Sequence, residues 1–339
     1  MNVFLISFFY LLTINDLFAH SPQSNLEDPC FDRAPLLKLI RTAQTQVGFW
    51  DSSTESVRKL CRSLPTWSEV QSLYGTEAII AGMDTCADYL SLVEENRDYP
   101  RPRIAGLYNS GTNALDQNLR KNLRLKNVFW DANVPWGKHL PPKYRLLNTY
   151  PWYNMEDHLS VLPIVIIRDP YRWMISMCKK GYSIHWQHGK YCPNLIKEAD
   201  KEEEDEHNTV FVRAAWDQLN KVKGADTYGS LADLWSEWYR DYFRAEFPRL
   251  LVRFEDVVFR PEQVIRSIAK CVKIPLKNEN YQYILKRSKW HGNPANLIQA
   301  MQRFGTENGR YGDLQDNDLR YARAALDSDL MEFFHYPHP

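Results

Sequence analysis

Along most of the chain, apolar residues either recur at helical spacing or gather in short continuous runs. From Ala34 to Glu95 the pattern is helical: Leu36, Leu37 and Ile40 share one face, and Ser56 to Leu64 carries a second short amphipathic run. The character changes at the breaker cluster Tyr99-Pro100-Arg101-Pro102. Beyond it, Arg103 to Leu107 reads as a short buried strand, Thr112 to Lys126 as a helix and Arg145 to Asn148 as a further strand. Val161 to Ile167 is almost continuously apolar and β-branched, the mark of a strand buried on both faces of a parallel sheet. Asp169 as N-cap, with Pro170 at the first helical position, starts the next helix. An aromatic-rich helix is expected over Leu231 to Phe247, a strand over Leu250 to Phe254 and a helix over Pro261 to Val272. Strands alternating with helices predict an α/β fold, with a central, mainly parallel sheet and helices on both faces.

Residues Val3 to Ile14 form an apolar run of about a dozen residues, short of the roughly 20 that span a bilayer. They match the apolar region of an export signal, with Ala19 a small residue at a plausible cleavage point. Leu17 is large for the position two before it, so the segment is read as a signal peptide or a short signal-anchor over 1–19. A linker and helical region follows over 20–98, and the chemistry is expected in a domain over 99–339. Six cysteines are an even number, which suits disulfides in an exported chain, although the chain carries no Asn-x-Ser/Thr sequon. The acidic run Glu198 to Glu206 reads as a solvated loop. The 339 residues carry 42 Lys+Arg and 42 Asp+Glu, so there is no global positive field to hold nucleic acid. Any anion must be held by a local site.

One such site is legible at Gly106-Leu107-Tyr108-Asn109-Ser110-Gly111-Thr112-Asn113. A strand runs into a Ser-Gly-Thr turn and then a helix, whose first amides have no intrahelical partner and carry a partial positive charge. Gly111 permits close approach of an anion, and the Ser110 and Thr112 hydroxyls add donors. A nucleoside-triphosphatase loop would need Lys where Thr112 stands, and Ser or Thr where Asn113 stands. A kinase of that class is therefore disfavoured. The second site is Ile167-Arg168-Asp169-Pro170, with Ser176 eight residues after the arginine. An Arg at the end of a buried strand, beside a helix start, is placed to grip a second phosphate.

With both segments in this order, the chain resembles the sulfotransferases that use 3′-phosphoadenosine 5′-phosphosulfate (PAPS). The resemblance covers about Arg103 to the C-terminus and implies the P-loop-like sulfotransferase fold, with PAPS as co-substrate and no metal. It implies that Asn109, Ser110, Gly111, Thr112 and Asn113 hold the 5′-phosphosulfate, and Arg168 and Ser176 the 3′-phosphate. Leu251-Val252-Arg253-Phe254-Glu255-Asp256-Val257 is similar to the family's Arg-Tyr-Glu-Asp-Leu strand. Gly309-Arg310-Tyr311-Gly312-Asp313-Leu314 is similar to the loop that closes over the 3′-phosphate, which adds Arg310, Tyr311 and Gly312. One departure matters: cytosolic members have Lys where this chain has Asn109, which brings no charge to offset the leaving group.

Sulfuryl transfer also needs a base for the acceptor's proton. Gly137-Lys138-His139-Leu140-Pro141 is similar to the strand end that carries the family's catalytic His, without the Thr between Lys and His. His139 is nominated as base and Lys138 as the replacement cation, with Glu156, Asp157 and His158 as fallback bases. Cys178, His185, His188 and Cys192 match no standard zinc spacing. A disulfide between the two cysteines, with the histidines near the acceptor pocket, suits an exported protein better. Trp235, Trp238, Tyr239, Tyr242 and Phe243 fall at helical spacing and read mainly as core, with one ring left to stack on adenine or a sugar. The export segment favours the carbohydrate type of sulfotransferase in the Golgi lumen, acting on the hydroxyl or amine of a glycan or small-molecule acceptor, with anchoring to a membrane through residues 3–19. The alternative is a catalytically silent relative that binds nucleotide or glycan.

Overall fold

A computed structural model describes residues 28–46, 48, 51–96, 98–126, 133–146, 160–188, 191–196, 211–216, 225–285 and 296–339. The N-terminal region forms α1 (Ala34–Thr45), α2 (Thr54–Ser63), α3 (Trp67–Tyr74) and α4 (Cys86–Glu95), as its helical spacing predicts. A capping box starts α3, with Thr66 and Glu69 satisfying each other's orphan amides. Between α3 and α4, the two-residue strand β1 (Ile80–Ala81) leaves this helical region and enters the central sheet.

That sheet has the order β1-β7-β3-β2. β2 (Arg101–Ala105), β3 (Val161–Ile167) and β7 (Leu250–Arg253) are parallel, with Ile104 beside Ile164 and Val165 beside Leu251, and β1 runs antiparallel to β7. Every residue of β3 is buried, because strands pair with both its edges and helices cover both faces. The connecting helices are α5 (Thr112–Asn122), α6 (Pro170–Lys179), α7 (Leu231–Phe243), α8 (Phe254–Phe259) and α9 (Pro261–Val272). A small antiparallel sheet, β4 (Ile184–His185), β5 (Val212–Ala214) and β6 (Asp226–Tyr228), lies in order beside them. The chain closes with α10 (Leu297–Phe304), α11 (Glu307–Tyr311), α12 (Asp316–Ala325) and α13 (Ser328–Phe333).

Several elements end earlier than their patterns predict, each for a long-range reason. α5 stops at Asn122, whose carbonyl accepts from Lys277 N at 2.7 Å while Leu123 bridges to Leu276. α7 stops at Phe243 because the Arg249 side chain takes the Tyr242 and Phe243 carbonyls. Phe254 begins a helix instead of ending a strand. At the strand expected over 145–148, Arg145 closes a turn on Pro142, and residues 147–148 lie outside the described residues.

All six cysteines are paired: Cys30 with Cys61, Cys86 with Cys271 and Cys178 with Cys192. Both sulfurs of the Cys178/Cys192 pair are thereby withheld from any metal. The expected export segment, the acidic run over 198–206 and the fallback bases over 156–158 fall outside the described residues. No helix among the described residues is long and apolar enough to cross a membrane.

Candidate active site at the carboxyl edge of the sheet

The parallel strands β2 and β3 deliver the two phosphate motifs to the same edge of the sheet, where ligands of open α/β sheets bind. After β2 the chain passes Gly106, where an added Cβ would meet Ser110 Oγ at 2.7 Å and Ile166 Cγ2 at 2.8 Å. Only glycine lets the loop fold this closely over β3. Ser110 is fully buried and its hydroxyl donates to the Leu107 carbonyl at 2.7 Å. Gly111 holds φ at 103°, and a side chain there would run into the Phe254 ring. α5 then opens with Thr112, and its leading amides lie at the mouth of this loop.

The second motif docks directly on the first. Arg168 leaves the end of β3, is buried between the rings of Phe254 and Phe304, and donates from Nη1 to the Asn109 carbonyl at 2.6 Å. Burial lowers its pKa to about 10, with Glu255 opposing and Arg172 adding to the shift. Asp169 caps α6 by accepting from Arg172 N at 3.0 Å, as its position before Pro170 predicts. Ser176 Oγ donates back to the Arg172 carbonyl at 3.0 Å.

Asn109 explains its own departure from the family pattern. Its φ is 60°, a left-handed conformation that Asn tolerates better than most residues. Its carboxamide donates to the carbonyls of Ser176 at 3.3 Å and Lys180 at 2.8 Å. The side chain thus caps the last turn of α6 and pins the loop to it. Positive charge arrives from another direction: Lys138 Nζ lies 3.4 Å from Asn113 Oδ1, at the start of α5, with its pKa lowered by burial.

His139 stands beside this cation. Its Nδ1 is 2.7 Å from the Gly106 carbonyl. A carbonyl can only accept, so Nδ1 carries the proton and the lone pair sits on Nε2. Burial first, and the Lys138 charge second, lower its pKa to about 3, against the opposing pull of the Gly106 carbonyl. The imidazole is therefore neutral at physiological pH and has a proton acceptor in place. Its ring stacks on Tyr108 at 4.0 Å between centroids.

The aromatic residues of α7 hold these segments together from behind. Trp235 Nε1 donates to the Arg168 carbonyl at 2.9 Å, Trp238 Nε1 to that of His139 at 3.0 Å, Tyr239 Oη to that of Ile166 at 3.0 Å and Tyr242 Oη to that of Leu140 at 3.1 Å. All four side chains are fully buried and Phe243 packs on Phe333 and Phe334, so this helix leaves no ring to stack on a ligand.

The C-terminal loop contributes differently from its expected role. Arg310 is buried and engaged by protein, donating from Nε to Asp169 Oδ2 at 2.7 Å and from Nη2 to the Pro337 carbonyl at 2.8 Å. Tyr311 sits against Tyr171, and Gly312 is exposed at the end of α11. The cations that gather with Arg168 are Arg172, Lys179 and Arg303, none of which the sequence reading selects. Burial lowers the pKa of Arg172, with Arg303 adding to the shift; burial lowers that of Lys179, with Arg172 and Arg303 adding to it. Asp313 Oδ2 offers the cluster one carboxylate oxygen, 3.4 Å from Arg172 Nη1. A helical signal was available, because Arg172, Ser176 and Lys179 are spaced four and three apart on one face of α6.

The site passes a direct test of fit for a phosphorylated co-substrate. Arg168 Nε and Arg172 Nε are buried and have no hydrogen-bond partner among the described residues. Buried guanidinium donors are normally satisfied, and an acceptor-rich anion such as phosphate suits donors of this kind. No group of three or more His, Cys, Asp and Glu among the described residues could hold a metal ion.

Comparison with known proteins agrees with this geometry over part of the chain. Residues 141–309 match the family model described as a sulfotransferase domain, which supports a sulfotransferase. The matched span contains Arg168 and Ser176, while the loop at 109–113 and the Lys138-His139 pair precede it. No curated protein and no solved structure matches the chain.

Proposed function

We propose that this protein moves the sulfuryl group of PAPS to a hydroxyl or amine of a glycan or other acceptor in the secretory pathway. The observation that carries the proposal is the junction of the two motifs: Arg168 donates to the Asn109 carbonyl at 2.6 Å and keeps a second buried donor unmatched. PAPS supplies the activated sulfuryl group. The loop amides with Ser110 and Thr112 would hold its 5′ end, and Arg168, Arg172 and Ser176 its 3′-phosphate. Arg310 acts one step back, by fixing Asp169 and hence the start of α6. His139 Nε2 takes the acceptor's proton as the acceptor oxygen or nitrogen bonds to sulfur and the bond from sulfur to the phosphate oxygen breaks. Help from a positioned base is largest when its pKa lies near the operating pH, and an anionic phosphate bound beside Lys138 and His139 would raise the imidazole toward that range. Lys138 places positive charge where the departing phosphate gains negative charge.

Three disulfides that use every cysteine are what an oxidising compartment allows, and they support the secretory placement in the Golgi lumen. The apolar run at 3–14 is the segment that would direct or anchor the chain there. A second reading, a relative that binds nucleotide without turnover, is favoured by Asn109, whose side chain faces the carbonyls of α6 and brings no charge to the loop.

Calorimetric titration with adenosine 3′,5′-bisphosphate tests the site. Micromolar binding by the wild type is expected, weakened about tenfold or more by Arg168→Ala and by Ser176→Ala. Absence of binding by the folded wild type would overturn the proposal. Tight binding with no release of sulfate-free nucleotide from PAPS across acceptor classes would select the silent relative.

A further inference from the structure

Beside the phosphate loop lies a cavity of about 290 Å³ that shares Lys179 with the cations gathered around Arg168 and otherwise lies beyond them. We infer that it is the acceptor subsite and that it takes one ring of an acidic sugar; this rests on the sulfotransferase reading above and assigns its acceptor class. The volume is near the lower bound of roughly 300 Å³ for small-molecule sites, enough for a single ring of a longer chain.

Its position ties it to the chemistry. The cavity wall includes Lys180, whose carbonyl accepts from Asn109 Nδ2 at 2.8 Å, and Met177, whose Sδ is 3.3 Å from the same nitrogen. On the other side, the Tyr182 ring stacks on Tyr108 at 4.9 Å and Tyr108 stacks on His139 at 4.0 Å. A continuous wall of rings therefore runs from the nominated base to the cavity.

Its chemistry selects the ligand. The side chains that matter are Lys179, Lys180, Tyr182, His185, Trp186 and His188, and no carboxylate among the described residues lines the cavity. Across the β4–β5 ladder His185 stands opposite Arg213, and both are exposed on the same face, which extends the positive surface outward. A ligand with a negative charge is thus favoured over a neutral one. Trp186 is held in place by donating from Nε1 to the Pro193 carbonyl at 2.9 Å, and its ring lies 4.7 Å from that of His188. An indole offers a rigid apolar face to the C–H side of a sugar ring. His188 Nδ1 is buried with no hydrogen-bond partner among the described residues. A sugar hydroxyl is a group that would satisfy it. The Cys178–Cys192 disulfide closes the segment that carries all six side chains.

The test is calorimetry on the full chain with three probes: adenosine 3′,5′-bisphosphate, a hyaluronan hexasaccharide, and a neutral hexamer of N-acetylglucosamine. Lys180→Glu and Trp186→Ala are compared with wild type. The first reverses the charge of an exposed side chain, whose ammonium lies 4.9 Å from the centre of the Tyr182 ring, and guards against a Trp186→Ala chain that fails to fold. The expected result is binding of hyaluronan at least about tenfold tighter than the neutral hexamer, weakened about tenfold or more in both folded variants, with nucleotide binding unchanged in Trp186→Ala and weakened less than hyaluronan binding in Lys180→Glu. Equal binding of the neutral hexamer would overturn the acidic-sugar assignment, and hyaluronan binding that neither variant changes would overturn the location. Nucleotide binding with no hyaluronan binding would overturn the inference and leave the proposed function standing. Failure to bind any of the three would remove both.

Discussion

At His139 one carbonyl decides which nitrogen can act. The Gly106 oxygen fixes the proton on Nδ1, and burial with the Lys138 charge holds the pKa near 3 instead of the ordinary 6.5. Between those two values the unfolded chain takes up a proton at this residue and the folded chain does not. Stability contributed by the neutral ring is therefore present above pH 6.5 and is lost as pH falls toward 3. His139→Gln has no such group, so the stability difference between wild type and variant should be larger at pH 7.5 than at pH 4.5. The ring is partly open to solvent, which sets the expected change at about 1–2 kcal/mol. Urea denaturation at the two pH values measures it, and a pH-independent difference would show that the ring is not held neutral. Asn109 illustrates the same economy of position. In a left-handed loop residue, a carboxamide satisfies the carbonyls of Ser176 in α6 and of Lys180 just past its end, and a Lys there would meet the backbone strain that Asn tolerates.

Among the elements, α7 connects site segments that are remote from one another in sequence. Tyr242 Oη both accepts from Trp136 Nε1 at 2.9 Å and donates to the Leu140 carbonyl at 3.1 Å, the residue after the nominated base. Tyr242→Phe keeps the ring and removes both bonds inside a dry core, and is expected to cost about 1–3 kcal/mol. A chemical denaturation midpoint indistinguishable from wild type would show that the helix packs against the site without holding it. How much of this was legible depends on where each signal resides. β3 and α9 fall on the predicted residues, Val161–Ile167 and Pro261–Val272, because burial on both faces and a Pro at the first helical position are local signals. The ends of α5 and α7 were missed because Lys277 and Arg249 set them from outside the helices. The turn into the helix at Thr112 and the place of Arg168 at the end of β3 were readable from their own neighbours. Arg303 was not, since only the fold brings α10 to α6. Arg310 lies in the segment that the resemblance selected, yet the geometry gives it Asp169 as a partner. A sequence pattern cannot tell which arginine of a segment faces outward.

Across the whole molecule, the C-terminal tail is threaded into the support of the second motif. Arg253 donates to the Phe334 carbonyl at 2.8 Å, Tyr336 Oη donates to Glu255 Oε2 at 2.9 Å, and Arg310 reaches the Pro337 carbonyl at 2.8 Å. Glu255 is the hub, because its Oε1 also accepts from Asp169 N at 3.2 Å. Burial, reinforced by the Asp169 charge, raises its pKa to about 7, against the pull of Arg168 and the Tyr336 hydroxyl. A carboxyl raised in this way binds a proton in the folded chain between pH 4.5 and 7 where the unfolded chain does not. Its contribution to stability therefore falls as pH rises through that window. The Tyr336 bond opposes that loss, since a hydroxyl donates more strongly to a carboxylate than to a neutral acid. Tyr336→Phe should therefore cost more at pH 8.5, where Glu255 is charged, than at pH 5.5, where it is mostly protonated. The expected penalty is about 2–3 kcal/mol at the higher pH and about 1 kcal/mol at the lower. Denaturation of both proteins at the two pH values reads the difference. A larger penalty at pH 5.5 would mean that Glu255 is not the group the tail stabilises, and the link from chain terminus to Arg168 would have to run through Arg310 and Asp169 alone.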